Sequence, residues 1–152
     1  MMKLAIGCDH GGFELKEEVL KFIRTVANIQ ASDLGPSSGE SVDYPDFGAK
    51  VSDAVSKGTA DRGILICGTG IGMSIVANKY PNVRAALCHD HFTAQMSREH
   101  NDANLLVMGE RVLGKGVALD IVKTWLDTPF GGGRHQKRLD KITALEKTLI
   151  KG

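Results

Sequence analysis

The sequence predicts a three-layer α/β fold: a five-stranded parallel sheet with helices on both faces and a C-terminal helical extension. Three observations predict it. Short apolar runs alternate with amphipathic stretches of helical period from the first residues to Trp125. The runs Ile64-Leu65-Ile66 and Leu105-Leu106-Val107-Met108 are apolar without alternation, as strands buried on both faces are. Each run ends in a polar or glycine-rich loop before the next helical stretch, the βα rhythm that yields parallel strands.

Residues 3–8 form the first run and end in Asp9-His10-Gly11-Gly12; the helical pattern from Phe13 to about Ala27 carries Leu15, Val19, Leu20, Phe22, Ile23 and Val26 on one face. Residues 29–34 make a weaker strand, and Gly35-Pro36-Ser37-Ser38-Gly39 is a loop by composition. Pro45 suits a first helical turn, which leads an amphipathic segment through Ala49, Val51 and Val55 to Gly58. The third strand, Ile64-Leu65-Ile66, runs into Cys67-Gly68-Thr69-Gly70-Ile71-Gly72 and a short helix over 73–79 that Pro81 ends. Residues 83–88 are the fourth strand, followed by His89-Asp90-His91 and a helix over about 92–99. Residues 104–108 are the fifth, followed by a loop and a helix over about 115–125. A glycine-rich segment, residues 128–133, then precedes a last helix from Arg134 to Ile150. The arrangement is Rossmann-like, so ligands should bind at the carboxyl ends of the strands: at Asp9 and His10, at 67–72, at 89–91 and at 109–111.

With 152 residues the chain suffices for one domain with a real core, so residues 1–152 are read as a single domain whose residues 128–152 form an arm. Nineteen basic against 18 acidic residues leave a net charge of +1, which points to neither a nucleic-acid surface nor a membrane patch. No stretch approaches the roughly 18 apolar residues of a membrane span, and no signal peptide is visible, so a cytoplasmic location is expected. Cys8, Cys67 and Cys88 are odd in number and contain no C-x-x-C pair, which argues against a disulfide framework.

Cys67 stands apart from the other two thiols. It lies where a buried strand gives way to alternating glycines, and such a loop can turn its N–H groups inward to cradle an anion. A thiol must be ionised to serve as a base, and an N–H-rich loop at a helix start favours the thiolate. Cys8 and Cys88 read as small buried hydrophobes. The glycine loop could instead hold a dinucleotide, with Asp90 as the ribose-binding acid, but its spacing is G-x-G-x-G and Met73 stands where the third fingerprint glycine belongs. His89 and His91 with the thiols raise zinc, yet no third and fourth ligand follow at a zinc-like spacing. Arg134 and Arg138 are four apart, so on a helix both guanidinium groups can grip one phosphate. The glycine triplet before them reads as a hinge that lets them swing toward a site.

Five segments in order, Cys8-Asp9-His10-Gly11-Gly12, Asp43-Tyr44-Pro45-Asp46, the 67–72 loop, Arg98-Glu99-His100-Asn101-Asp102-Ala103-Asn104 and Gly133-Arg134-His135-x-x-Arg138, resemble the type B ribose-5-phosphate isomerases. The resemblance spans essentially the whole chain. It implies a homodimer or dimer of dimers with shared active sites, acting on sugar phosphates without metal or organic cofactor. It makes Cys67 the base that moves a proton between C1 and C2. The amides of Gly68, Gly70, Ile71 and Gly72 would stabilise the enediolate, and Thr69 would assist at the ring oxygen. His100 would open the furanose, Asp9 and Asn101 would hold hydroxyls, and His10, Arg111, Arg134 and Arg138 would surround the phosphate. One branch of the family places a glutamate after the last loop glycine and lacks the cysteine; this chain, with Met73 and Cys67, resembles the thiol branch. Six-carbon sugar phosphates, and a sugar-phosphate-binding or nucleotide-binding module without turnover, are the alternatives.

Overall fold

The five apolar runs pair in one parallel sheet of strands β1 (Met2–Cys8), β2 (Ile29–Asp33), β3 (Arg62–Cys67), β4 (Ala85–Leu87) and β5 (Leu105–Gly109), in the order β2-β1-β3-β5-β4. Six helices connect and extend them: α1 (Phe13–Ile23), α2 (Tyr44–Lys57), α3 (Ile71–Ala77), α4 (His91–Glu99), α5 (Lys115–Asp127) and α6 (Arg134–Leu149). The computed structural model describes residues 1–149. Ile150, which the sequence pattern includes in the last helix, lies outside them.

Side chains alternate across the sheet and build two cores. Leu4, Ile6, Ile64, Ile66, Leu106 and Met108 point to the face covered by α1 and α5, where Trp125 is fully buried. Ala5, Leu65, Cys67, Leu105 and Val107 point to the other face, against Val51 and Val55 of α2 and Met73 and Ala77 of α3. Both faces are dry, so β3 and β5 needed near-continuous apolar sequence.

Two boundaries differ from the sequence pattern. The period on α1 continues to Ala27, but the helix stops at Ile23 because Thr25 and Val26 close tighter turns on Phe22 and Ile23, and the Thr25 hydroxyl also donates to the Phe22 carbonyl at 2.6 Å. Residues 83–88 pair over only Ala85–Leu87. There the Asn78 side chain occupies the open edge, accepting from the Ala85 N–H at 2.9 Å and donating to its carbonyl at 3.1 Å.

Lys16 of α1 is fully buried, and its Nζ donates to Asp33 Oδ1 and to the Pro36 carbonyl, both at 2.7 Å. The pair fixes the chain leaving β2. No helix among the described residues is long and apolar enough to cross a membrane. Lys16→Met keeps the apolar stem but leaves the Pro36 carbonyl without its donor, and should cost about 1–3 kcal/mol in urea denaturation. An unchanged unfolding midpoint would show that the ammonium has no part in holding that loop.

Candidate active site

β2 lies on one side of β1 and β3 on the other, so the crevice between the carboxyl ends of β1 and β3 is where the winding of the chain reverses. Cys67 ends β3 there, 5 % exposed, with its Sγ accepting the Gly70 N–H at 3.2 Å. Gly70 has φ of 81°, a left-handed conformation that costs glycine little, and it caps α3. Thr69 Oγ1 accepts the Ile71 N–H at 3.2 Å. On the β1 side, Asp9 is buried and its Oδ1 accepts the Gly11 N–H at 2.8 Å, which starts a 3₁₀ turn over His10–Gly12. His10 and Arg111 stand at the exposed rim; the His10 ring meets the backbone of Val42 at 3.2 Å, and the Arg111 side chain lies over Gly68 while its N–H donates to the Gly68 carbonyl at 3.0 Å.

The loop is shorter than its glycines suggest. α3 begins at Ile71, not Met73, so Gly72 belongs to its first turn, where the Tyr44 ring packs so close that a Cβ would stand 2.6 Å from it. Thr69 is pressed from behind by Gly109 at the end of β5, and the Glu110 N–H donates to the Cys67 carbonyl at 2.9 Å. The thiol and the loop N–H groups are thus held by β3, the end of β5 and the helices α2 and α3.

A second cluster forms elsewhere. α4 runs back against the strand direction, so His100, which caps its C-terminus, lies at the amino edge of the sheet. His100, Asn101, Arg134, His135 and Arg138 line an open cavity of about 560 Å³ with Leu139 and Ile142. The rings of His100 and His135 stack at 4.2 Å, tilted by 16°. Desolvation, then the charges of His100, Arg134 and Arg138, hold the His135 pKa below the usual histidine value. The glycine triplet reads in the sequence as a free hinge, yet the Gly131 N–H donates to the Glu99 carbonyl at 2.9 Å. The arm is tied to the end of α4 and already faces His100.

The sequence-predicted residues therefore fall into two groups. Asp9, His10, Cys67, Gly68, Thr69, Gly70, Ile71, Gly72 and Arg111 meet at the carboxyl edge; His100, Asn101, Arg134 and Arg138 meet at the amino edge. No hydrogen bond or ring contact among the described residues joins the groups, and the cavity at the amino edge is lined by none of the first. The remaining polar candidates have local partners: Asp90 caps α4 by accepting the Thr93 N–H at 2.7 Å, and His91 bonds Asp120 at 3.0 Å. Cys8 and Cys88 are fully packed, and burial pushes the Cys8 thiol up to about 12 and the Cys88 thiol upward. Sequence reasoning gave no role to Tyr44 or to the His135 stack, although both lie inside segments that carry the resemblance.

The profile of the ribose/galactose isomerase family matches residues 4–142. The chain belongs to that family. It is 47 % identical to ribose-5-phosphate isomerase B of Escherichia coli over 97 % of this chain and 98 % of that one. The solved ribose-5-phosphate isomerase B of Clostridium thermocellum is 55 % identical and superposes with a TM-score of 0.94, covering 98 % of this chain and 100 % of that one. The structure of the Mycoplasma genitalium enzyme, solved with bound ribulose 5-phosphate, is 40 % identical with a TM-score of 0.92, covering 96 % and 97 %. The family assignment made from five sequence segments and the five-stranded parallel fold are both borne out.

In this isomerase fold the thiol loop depends on the absence of a side chain at Gly109, where a Cβ would stand 2.5–2.8 Å from the Thr69 backbone. Gly109→Ala should push the loop off Cys67 and lower kcat/KM about 10²-fold, with a stability loss of about 1–3 kcal/mol. Wild-type kinetics in a folded Gly109→Ala protein would show that loop placement is not critical.

Proposed function

We propose that the chain interconverts ribose 5-phosphate and ribulose 5-phosphate through an enediolate, with each active site built from the carboxyl edge of one subunit and the amino edge of another. The observation that carries this reading is the separation of two incomplete groups, each holding part of what the reaction needs. The carboxyl edge has the base and the oxyanion donors. The amino edge has a histidine suited to ring opening and an arginine pair four residues apart.

The reaction assigns each group a task. His100 delivers a proton to the furanose ring oxygen as the C1–O bond breaks and the anomeric hydroxyl loses its own, which frees the aldehyde. Thr69 assists at the ring oxygen. The Cys67 thiolate removes the C2 proton; the electron pair forms the C1–C2 double bond and charge moves to O1. The N–H groups of Gly68, Gly70, Ile71 and Gly72 would stabilise that oxyanion, those of Gly70 and Ile71 by turning from Cys67 Sγ and Thr69 Oγ1, and donors of this kind are typically worth about 10²–10³-fold each. Cys67 returns the proton to C1 while the O2 proton passes to O1, leaving the ketone at C2 and the hydroxyl at C1, so no atom is gained or lost. Asp9 and Asn101 hold hydroxyls, and His10, Arg111, Arg134 and Arg138 hold the phosphate.

The sheet supports a shared site. Cys67 pairs with Gly109, whereas the His100 turn enters β5 beside Gly63, four residues back along β3, or about 13 Å away. α6 also exposes Ile142, Leu145 and Leu149, as an arm seated on a second copy would. The dimer and the assignment of its interface are part of the proposal.

Cys67→Ser should lower kcat about 10²–10⁴-fold while KM stays near that of the unmodified enzyme, because the phosphate grip lies elsewhere. Near-normal turnover would remove Cys67 from the mechanism. The sharing of sites has its own test: mix equal amounts of inactive Cys67→Ala and inactive His100→Asn proteins and let subunits exchange. Random exchange makes about half the dimers mixed, each with one complete site, so about a quarter of all sites should recover. Exchange proven by mass with no activity regained would refute sharing and leave the isomerase reading intact.

A further inference from the structure

The chemistry above makes no use of Arg98, a guanidinium that the fold buries to 4 % exposure in the last turn of α4. Burying this group is costly unless its donors find acceptors, and here they do. Its Nη1 donates to Asp102 Oδ1 at 2.8 Å and to the Ala103 carbonyl at 2.7 Å; its Nε donates to the Thr128 carbonyl at 3.3 Å. Arg84, the residue before β4, closes on the same turn, with Nε donating to the Asp102 carbonyl at 3.0 Å and Nη2 to Asp102 Oδ2 at 3.4 Å. Asp102 has φ of 45°, a left-handed conformation that a non-glycine residue keeps only when its surroundings hold it there.

The fork thus joins three segments. One is the end of α4; the second is the turn after His100 and Asn101; the third is Thr128, the root of the arm. A second tie, from the Gly131 N–H to the Glu99 carbonyl, lies three residues along the arm. Past these ties along the arm, His135 stacks on His100, and Arg134 and Arg138 line the same cavity.

We propose that Arg98 is a positioning residue of the active site: its three-way fork holds His100 and Asn101 in register with the arm that carries His135, Arg134 and Arg138. The ring-opening and phosphate-binding groups of the amino edge then form one body, although 34 residues separate His100 from Arg134. A lysine keeps the charge but cannot present donors in three fixed directions. The proposal rests on the reading that His100 opens the ring and that the arginine pair holds phosphate.

The test uses Arg98→Lys and a milder variant, Asp102→Asn, at a position 34 % exposed where asparagine tolerates the left-handed backbone. Both are assayed on ribose 5-phosphate and on erythrose 4-phosphate, which cannot close a furanose, and activity is normalised to the folded fraction. In Arg98→Lys, KM for both sugars and the inhibition constant of inorganic phosphate should rise about ten-fold, because the arm is misplaced. The kcat should fall about 10–10²-fold on ribose 5-phosphate and stay near wild type on erythrose 4-phosphate, because only the cyclic sugar needs His100 in register. Asp102→Asn should shift the same constants in the same direction by less. Equal loss of kcat on both sugars with unchanged KM and phosphate inhibition would reduce Arg98 to a packing role, and wild-type constants in both variants would overturn the proposal. His100→Asn is run alongside. If it loses equally on both sugars, the ring-opening role is what fails, and the clamp then stands or falls on the rise in KM and phosphate inhibition alone.

Discussion

The constraint on which the site depends is the direction of the chain through a parallel sheet. Every strand runs one way and every connecting helix returns, so loops after strands and loops after helices collect on opposite edges. Cys67 follows a strand and His100 follows a helix. Four strand residues separate their edges, more than any side chain spans. No repacking within one chain removes that distance, and this is why we propose that a second chain supplies one of the two. The exposed apolar residues of α6 and the open cavity beside it fit the same constraint.

Much of the fold was legible because burial on both faces leaves a plain mark. Ile64-Leu65-Ile66 and Leu105-Leu106-Val107-Met108 admit no polar residue, and the structure places them in the two strands that neighbour each other at the centre. Element ends were less legible, since they are decided by groups that the hydrophobic period does not register. The Thr25 hydroxyl on the Phe22 carbonyl ends α1 four residues before its apolar pattern does. Asn78, seven residues away in sequence, fills the edge of β4, where the apolar pattern of residues 83–88 predicts a longer strand.

For the site, sequence served best where one segment carries the whole arrangement. Cys67, the glycines after it and the N–H groups they free are contiguous, and the 3.2 Å contact between the Cys67 sulfur and the Gly70 N–H needs no distant partner. The amino edge is assembled from pieces far apart in sequence, so its geometry left little local trace. The His135 ring on His100, the tie from Gly131 to Glu99 and the Arg98 fork each link α4 to the arm. Read alone, the glycine triplet has the composition of a hinge, because composition reports what a backbone is free to do and not what holds it.

Lys16 and Arg98 show how the two edges are held by the same physical means. Each is a buried cation that takes a carboxylate and at least one backbone carbonyl: Lys16 holds Asp33 and Pro36 after β2, and Arg98 holds Asp102, Ala103 and Thr128. A hydrocarbon of equal volume would avoid the desolvation cost and could pack as well. It could not satisfy carbonyls that irregular loops bring inside, where each unpaired acceptor costs about 1–3 kcal/mol. Helices and strands satisfy their own backbone groups, but the loops that carry binding groups do not. A fold that must place such loops against its sheet therefore needs buried donors at both edges, and Lys16 and Arg98 meet that need.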